Sequence, residues 1–265
     1  MSSSKAYTLV TGASNGIGKA FAEEAAARGY HVLLVALPEP ALDEATQSLQ
    51  SQYPDQHFDS MGVNLMEKEA PQSIKDWCQA QGYSVNILIN NAGLGNSGPF
   101  ESMPAEFYFG QMQLNMVSLV SLTHHFLPEL KKHDKGYVLN VASMAAFYDI
   151  PFKGIYSASK KFVLSFTQSL NKELEQSNVS ISALCPAAVP TNDAVKQRTQ
   201  ELGYFARLSV KMPEEVAQYS FDQMFSGKTV IIPGWFSRFL KNLGKLIPNG
   251  VQLNMLANQF IKNKK

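Results

Sequence analysis

The stretch Thr11-Gly12-Ala13-Ser14-Asn15-Gly16-Ile17-Gly18 decides the fold of this 265-residue chain. It joins an apolar run with the composition of a buried strand, Ala6–Val10, to an alanine-rich run with the pattern of a helix, Gly16–Arg28. Three glycines permit a tight turn, close approach of the backbone to a pyrophosphate and close packing of the helix on the strand. The first turn of the helix offers N–H groups and a partial positive charge to phosphates. An ordinary glycine-rich turn is the alternative, but the position between strand and helix favours a nucleotide-binding turn.

The alternation of strand and helix continues along the chain. Short runs of apolar residues predict further strands at His31–Ala36, Phe58–Val63, Val85–Ile89, Gly136–Val141, Val179–Leu184 and Thr229–Ile232. Longer amphipathic stretches predict helices at Pro40–Gln52, Lys68–Gln81, Pro104–Lys132 (long enough to be broken), Ile155–Ser177 and from Pro213 onward. Strands that are apolar throughout are typical of sheets covered on both faces. We therefore expect one α/β domain over residues 1–234, a three-layer Rossmann fold with a doubly wound parallel sheet.

Composition and charge exclude several classes of protein. Hydrophobic residues make up 45% of the chain and charged residues 17%, which excludes a disordered chain and a coiled coil. The net charge of +1 gives no indication of a nucleic-acid partner. Two distant cysteines, Cys78 and Cys185, argue against a disulfide scaffold, and the five histidines lack the spacing of metal ligands, so we expect no metal site. No apolar run precedes the first strand and none reaches the length of a spanning helix, so we expect a cytoplasmic protein.

Four polar residues lie in or next to the predicted helices and strands of the second half of the pattern. Asn115 lies in the long helix, Ser143 follows the strand Gly136–Val141, and Tyr156 and Lys160 open the next helix. Ser143 precedes Tyr156 by 13 residues and Lys160 follows it by four. Each residue alone is ordinary, but the ordered series, together with the T-G-x-x-x-G-x-G spacing of the first turn, is specific. The chain resembles the compact single-domain branch of the short-chain dehydrogenase/reductase family and its Asn…Ser…Tyr-x-x-x-Lys tetrad.

Two further segments carry the resemblance, which runs from about residue 5 to about residue 234. Asn90-Asn91-Ala92-Gly93 resembles the family segment that stabilises the sheet and lines the cofactor cleft. Pro186-Ala187-Ala188-Val189-Pro190-Thr191 resembles the segment that contacts the nicotinamide amide, with Ala187 where the family usually has glycine. The resemblance implies an NAD(P) cofactor. The residues expected to bind it are Gly12, Ser14, Asn15, Gly16, Ile17, Gly18, Leu37, Asn64, Leu65, Asn91, Ala92, Gly93, Tyr156, Lys160, Pro186, Val189 and Thr191.

The chemistry of carbonyl reduction explains the residue types of the tetrad. A tyrosine with a pKa near about 10 exchanges its proton poorly at neutral pH. Lys160, one helical turn from Tyr156, is expected to lower that pKa together with the oxidised nicotinamide, so that Tyr156 serves as general acid and base. Ser143 is expected to hydrogen-bond the substrate oxygen. The resemblance further implies that Lys160 holds the nicotinamide ribose and that Asn115 holds a water in a proton relay.

The end of the second strand bears on the choice between NAD and NADP. NAD enzymes of this fold usually place an acid there and NADP enzymes an arginine, but this chain has Ala36 and Leu37, and Asn15 in the glycine turn. We expect NAD(P) with a slight preference for NADP, because nothing there repels a phosphate. Asn64 stands where the family often has an aspartate that contacts the adenine amine, and its side-chain oxygen can accept the same bond.

The resulting hypothesis is an NAD(P)-dependent oxidoreductase that interconverts a ketone and its alcohol. Two alternatives use the same fold: a non-catalytic nucleotide-sensing or scaffold protein, and an isomerase or lyase. Residues 187–212 are expected to form a lid over the pocket. Aromatic and apolar side chains in and near it favour an apolar substrate, such as a 3-oxoacyl chain, a steroid-like ketone or an aromatic carbonyl; they are Phe147, Tyr148, Tyr204, Phe205 and Leu208.

Residues 235–265, here called the C-terminal extension, carry six basic residues and no acid. Apolar residues recur in it at helical spacing, with basic residues on the other side. One interpretation is a helix that packs on its own domain or on a second subunit. The other is peripheral attachment to an anionic membrane surface. In either case the extension is expected to obstruct the tetramer contact that the family often makes beside the last strand, leaving a dimer through the helices around Asn115 and Tyr156.

Overall fold

The sheet is parallel throughout and doubly wound, as predicted. The computed structural model describes residues 6–190, 209–244 and 246–262. Within them, seven strands lie in the order β3-β2-β1-β4-β5-β6-β7, with every neighbouring pair parallel. The strands are β1 Ala6–Thr11, β2 His31–Ala36, β3 Phe58–Gly62, β4 Ser84–Asn90, β5 Gly136–Val141, β6 Val179–Leu184 and β7 Val230–Ile231. The direction of winding reverses between β1 and β4, where such sheets open a crevice for a ligand.

Helices cover both faces of the sheet. They are α1 Gly16–Ala27, α2 Pro40–Gln52, α3 Ala70–Ala80, α4 Ala105–Met112, α5 Leu119–Leu130, α6 Gly154–Glu173, α7 Pro213–Phe225, α8 Trp235–Gly244 and α9 Asn249–Lys262. On one face α1, α2 and α7 enclose an apolar core in which the rings of Phe21 and Phe221 meet at 6.1 Å. On the other face α3, α5 and α6 enclose a core around Ile74 and Phe126. Burial of each such ring stabilises the fold by about 1.5–3 kcal/mol.

The long predicted helix Pro104–Lys132 is broken in the structure. Between α4 and α5, residues Gln113–Ser118 form a π-helical segment with the wider i→i+5 hydrogen bonding. Insertions of this kind shift the side chains that follow around the helix axis, and they concentrate at functional sites. Asn115 lies inside the segment and is buried.

The C-terminal extension folds as two helices, α8 and α9, that lie against the loop after β5. The Tyr148 hydroxyl donates a hydrogen bond to the Leu240 carbonyl at 2.9 Å. The Gln252 amide donates to the carbonyls of Gly244 and Ile247, which ties α9 to α8. None of the helices in the described part of the chain is long and apolar enough to cross a membrane.

Candidate active site

The glycine turn after β1 requires its glycines. Gly12 and Gly16 have positive φ angles of 65° and 56°, a region that favours glycine. A Cβ on Gly18 would lie 2.0 Å from the Gly12 carbonyl oxygen, so no side chain fits there. No side chain caps the first turn of α1, whose N-cap is Asn15. The turn therefore exposes the N–H groups at the start of α1, and its glycines leave room for a ligand to approach the backbone closely. Both features fit the pyrophosphate of a nicotinamide dinucleotide.

A threonine that the sequence analysis did not select holds this turn against the end of β4. The Thr11 hydroxyl accepts hydrogen bonds from the backbone N–H groups of Asn91 at 2.9 Å and Ala92 at 3.0 Å. The Asn91 amide donates in return to the carbonyls of Thr11 at 2.8 Å and Gly12 at 3.2 Å. The Asn91 side chain thus serves the fold of the cleft wall. The position of Thr11 as the first residue of the T-G-x-x-x-G-x-G series is the sequence feature that could have indicated this role.

Asn90, in the same segment, ties the sheet to the helix layer. Its buried amide donates to Asn140 on β5 at 2.9 Å and to Thr123 on α5 at 3.1 Å. The Asn140 amide continues the series to Thr167 on α6 at 2.9 Å. Buried hydrogen bonds between side chains of different elements fix the relative positions of those elements. The network therefore ties to the sheet both α5, which continues from the π-helical segment of Asn115, and α6, which carries Tyr156 and Lys160.

Lys160 is a buried cation beside Tyr156. Its Nζ donates a hydrogen bond to the Val141 carbonyl at 2.7 Å and lies 5.9 Å from the centre of the Tyr156 ring. Burial lowers the pKa of Lys160 from 10.5 to about 8, because the desolvated ammonium is disfavoured; the nearby Cys185 thiol acts weakly in the opposite direction. Lys160 therefore remains mostly protonated at neutral pH. One of its N–H groups is committed to the end of β5.

Tyr156, near the start of α6, lies beside Ser143 in the loop after β5. Burial raises the pKa of Tyr156 above its usual 10, and a hydrogen bond with Ser143 opposes this rise. The expectation that Lys160 lowers this pKa is not met by the protein groups alone, because desolvation outweighs the other contributions. The Ser143 hydroxyl also accepts a hydrogen bond from the Ala145 N–H at 3.1 Å as the N-cap of a short helical turn. Ser143 is thereby held in one orientation beside Tyr156.

Asn115 reaches from the π-helical segment to the loop after β4. Its side-chain oxygen accepts from the Leu94 N–H at 2.8 Å, and its amide donates to the Leu94 carbonyl at 2.9 Å and to the Ser159 hydroxyl at 3.1 Å. Ser159 in turn donates to the Tyr156 carbonyl at 2.8 Å. Both N–H groups of the Asn115 amide are therefore engaged in positioning the loop and α6. Ser159 was missed by the sequence analysis because it lies inside the Tyr-x-x-x-Lys motif at an unmarked position.

Two glycines bring the loop after β4 into contact with the catalytic candidates. A Cβ on Gly93 would lie 3.3 Å from both Asn115 Oδ1 and Lys160 Nζ. A Cβ on Gly95 would lie 3.2 Å from the Tyr156 ring. The backbone here forms the wall of the site, so larger residues at either position would push against the tetrad. Gly95 was not among the predicted site residues.

The residues predicted to bind the adenosine part of the cofactor differ in which groups they leave available to it. Leu37 is 49% exposed at the end of β2 and stands free for a ligand or a substituted side chain, whereas Ala36 is buried. The Asn64 oxygen accepts a hydrogen bond from the Met66 N–H at 3.0 Å, so part of its capacity is used within the loop. The Leu65 side chain packs into the core and its carbonyl accepts a hydrogen bond from the Ser118 hydroxyl, which leaves the backbone N–H as the group it can offer to a cofactor. Ile17 is half-buried and packs on the core beneath the glycine turn.

The nicotinamide-side segment is described only in part. Pro186 accepts a hydrogen bond from the Met144 N–H at 2.9 Å, and Val189 is buried. Thr191 and the predicted lid residues Tyr204, Phe205 and Leu208 lie outside the described residues. Cys185, just before this segment, is a buried thiol whose pKa burial raises to about 12, so it packs as a small apolar residue.

Comparison with known proteins identifies the family. The family model "short chain dehydrogenase" matches residues 6–202. The chain belongs to the short chain dehydrogenase family. A very-long-chain 3-oxoacyl-CoA reductase-B of Danio rerio is 31% identical over 189 residues, which are 70% of this chain and 60% of that protein. The present chain thus matches little more than half the length of that relative.

Solved structures of this family share the fold over almost the whole chain. The bulky-bulky ketone specific alcohol dehydrogenase from Comamonas testosteroni is 26% identical, with a TM-score of 0.77 over 92% of each chain. A short-chain dehydrogenase from Sphingobium yanoikuyae in complex with NADPH is 28% identical, with a TM-score of 0.77 over 91% of this chain and 93% of that one. The short chain dehydrogenase assignment and the Rossmann fold predicted from the sequence are both confirmed.

Proposed function

We propose that this protein is an NAD(P)-dependent oxidoreductase that interconverts a ketone and its alcohol. The observation that carries the proposal is the convergence of Tyr156, Ser143 and Lys160 at the carboxyl ends of the strands, where the loop after β4 lies between Tyr156 and Lys160 and the Gly12–Gly18 turn. A scaffold or sensor needs the glycine turn alone and has no use for a buried ammonium next to a buried phenol. Buried titratable groups with shifted pKa values in a cleft are typical of catalytic sites.

Each side chain has a role that follows from its contacts. The bound nicotinamide would supply or accept the hydride. Tyr156, whose pKa burial raises, carries the phenolic proton that reduction requires, and it would donate this proton to the carbonyl oxygen as negative charge develops there. Ser143, hydrogen-bonded to Tyr156, would also bind that oxygen as charge develops on it. Lys160 has N–H donors beyond the one held by Val141, and these would bind the ribose hydroxyls. Asn115 positions the loop and α6; the water relay implied by the family resemblance remains a prediction.

The substrate is proposed to be apolar. A cleft of about 480 Å³ has a mostly apolar lining and begins next to Gly95, which lies against the Tyr156 ring; its residues are Asn96, Gly98, Pro99, Phe100, Glu101, Tyr108, Phe152 and Gly154. The rings of Phe100 and Tyr108 stack at 4.9 Å on one side of it. Phe152, which also lines the cleft, has a φ of 65°, which is strained for a bulky residue, and such strain concentrates at binding sites. A volume of this size accommodates a drug-sized organic molecule. The names of the similar proteins, a 3-oxoacyl-CoA reductase and a bulky-ketone alcohol dehydrogenase, agree with this class of substrate.

The cofactor preference is proposed to lean slightly toward NADP. The exposed Leu37 at the end of β2 places no negative charge where a 2′-phosphate would lie. Solved structures of similar proteins hold NADPH in one case and NAD in another, so they support NAD(P), and the preference for NADP rests on Leu37 alone.

A homodimer is proposed through α4, the π-helical segment and α6. Phe109, Val117 and Phe162 are large, apolar and exposed on these elements, and Phe162 stacks on Phe166 at 6.0 Å. Exposed apolar residues in this number on neighbouring helices are typical of an interface between proteins. A second copy that covers them would bury the outer side of the helices that carry Asn115 and Tyr156.

The decisive experiment is Tyr156→Phe, assayed with a panel of apolar ketones and both reduced nicotinamides. Turnover should fall at least about a hundredfold, the lower range for loss of a general acid, while the cofactor dissociation constant stays within about twofold. Tyr108→Phe, which alters a phenol that donates to the Phe100 carbonyl in the cleft wall, is the matched control and should retain turnover. Retention of more than a few per cent of activity by Tyr156→Phe would remove Tyr156 as the acid. Product formation without net oxidation of the cofactor would favour the isomerase or lyase alternative.

A further inference from the structure

The C-terminal extension turns its apolar side chains toward solvent. Among the described residues, fourteen large apolar side chains are exposed, and seven of them lie in this extension. On α8 they are Trp235, Phe239 and Leu243, spaced four residues apart and so on one face of the helix. Trp235 is 67% exposed, and Leu246, just beyond α8, is 81% exposed. The helix α8 does pack on its own domain, but it does so through Ser237 and Gly244 and not through this apolar stripe.

The contacts of α8 with the domain fix this orientation. Ser237 and Gly244 are buried, and a Cβ on Gly244 would lie 2.7 Å from the Tyr148 ring, so the inward face is built of small residues. The Arg238 guanidinium donates to the Tyr219 hydroxyl at 2.9 Å and to the Ile232 carbonyl at 3.1 Å. Lys241 lies over the Phe147 ring at 5.2 Å. Rotation of the helix to bury its apolar stripe would break all of these contacts.

The second helix has the same character. Val251 and Met255, four residues apart on α9, are 49% and 59% exposed. Phe260 faces the domain instead, with its ring 5.7 Å from that of Phe152 at the rim of the substrate cleft. Asn249 donates to Asp149 at 3.3 Å. Both helices are thus anchored by small or polar contacts and by Phe260, and both leave apolar side chains uncovered.

Charge identifies the occupant of this surface. The extension carries six basic residues and no acid; Arg238 and Lys241 contact the domain, and the others are Lys245, Lys262, Lys264 and Lys265. A second copy in a two-fold contact would bring the same surface against itself and oppose two sets of cations without a counter-charge. An anionic lipid headgroup layer supplies that counter-charge, and its acyl region accepts tryptophan, phenylalanine and leucine side chains. We propose that α8 and α9 dock the protein peripherally on an anionic membrane surface.

The docked surface adjoins the substrate cleft, since Phe260 of α9 backs Phe152 at the cleft rim. An apolar substrate dissolved in the membrane would therefore have a short path to Tyr156. The docking itself rests on residues outside the catalytic site. Its test uses vesicles without turnover, so its failure would leave the proposed oxidoreductase activity untouched.

The test exploits the presence of two tryptophans in the chain. In a Trp77→Phe background, Trp235 is the sole tryptophan. Vesicles of phosphatidylcholine with phosphatidylglycerol should shift its fluorescence emission to the blue and protect it from a soluble quencher. Vesicles of phosphatidylcholine alone should do so much less, and added salt should reverse part of the effect. The full chain should co-sediment with the anionic vesicles under the same conditions.

Three variants locate the contact. Trp235→Ser with Phe239→Ser should weaken co-sedimentation at least about a hundredfold, since each buried side chain contributes roughly tenfold or more. Neutralising Lys262, Lys264 and Lys265 to glutamine should weaken it by about fivefold per residue. Met212→Ser, which removes a 50% exposed apolar side chain outside the extension, is the control and should bind as the parent does. Absence of binding by the parent chain, or equal binding by the Trp235→Ser, Phe239→Ser variant, would overturn the proposal. A change of oligomeric state in that variant, measured by light scattering, would instead assign the surface to contact between copies.

Discussion

Replacement of Lys160 by methionine should abolish turnover and, at neutral pH, stabilise the protein when no cofactor is bound. The Lys160 ammonium is 5% exposed and donates to a neutral partner, the Val141 carbonyl, at 2.7 Å. Burial lowers its pKa from 10.5 to about 8. A side chain with this environment is held for its function and costs the fold stability.

The sign and size of this cost follow from linkage. Because the pKa of Lys160 is lower in the folded protein, the unfolded chain binds the proton more tightly. The cost is therefore fully present below about pH 8 and disappears as the pH rises toward 10.5. The fall in pKa from 10.5 to about 8 corresponds to about 3 kcal/mol. Methionine removes this cost but leaves the Val141 carbonyl without its donor, which costs about 1–3 kcal/mol. A net gain of about 1 kcal/mol is expected at neutral pH.

Urea unfolding of wild type and Lys160→Met over a range of pH provides the assay. The difference in free energy of unfolding between the two proteins should change by about 2 kcal/mol between about pH 7 and pH 9.5, in favour of the wild type at the higher pH. Other groups that titrate in this range are common to both proteins and cancel. Lys161→Met is the matched control, because the Lys161 side chain is 52% exposed and pairs with Asp149 at the surface. A difference that does not vary with pH would refute a buried ammonium with a lowered pKa.

Two further changes test other parts of the site. Leu37→Arg should raise the ratio of kcat/KM for NADPH over NADH by roughly ten- to hundredfold, since a hydrogen bond to a charged phosphate is worth about 1.5–3 kcal/mol, and Ala36→Asp should lower it; steady-state kinetics with both cofactors measure this, and an unchanged ratio in both variants would place the ribose elsewhere. Gly18→Ala should destabilise the protein by about 3 kcal/mol or more, because the new Cβ would lie 2.0 Å from the Gly12 carbonyl oxygen. Thermal unfolding checks this against Gly154→Ala, whose Cβ meets nothing within 4 Å.

The sheet was predictable because its strands are covered on both faces. β2 is buried at all six positions and reads in the sequence as an unbroken apolar run after His31. The ends of β2, β5 and β6 coincide with the predicted ones, since a proline or a serine lies two residues beyond each run: Pro38, Ser143 and Pro186. Family-specific spacing then placed Ser143, Tyr156 and Lys160 at the correct ends of their elements.

The π-helical segment around Asn115 was not predictable from local pattern. Residues 113–118 carry no proline or glycine, and their apolar spacing is that of an ordinary helix. Burial of Asn115 depends on hydrogen bonds to Leu94 and Ser159, which belong to other elements. Contacts of this kind arise only from the packed fold, so the sequence marked the residue without its surroundings.

The orientation of α8 could not be predicted from the sequence for a related reason. Helical periodicity shows that Trp235, Phe239 and Leu243 share a face, but it does not say which neighbour that face meets. Gly244 decides the matter, because a Cβ there would lie 2.7 Å from the Tyr148 ring, so this position must lack a side chain where α8 meets the domain. A glycine within an amphipathic pattern therefore marked the packed face, and the apolar residues marked the free one.

The costs that the fold carries at the site are a stronger indication of a dinucleotide than the motif spacing. The turn Gly12–Gly18 adopts positive φ angles and leaves the start of α1 without a side-chain cap. Lys160 keeps a desolvated charge whose remaining donors point away from Val141. An anion would accept hydrogen bonds from the uncapped N–H groups of α1, and hydroxyl groups would accept them from the remaining donors of Lys160. A pyrophosphate and a ribose are such groups, and a nicotinamide dinucleotide holds them in one molecule. A chain that matched the spacing by chance would not keep an uncapped helix start and a desolvated charge, because no ligand would compensate for the lost stability.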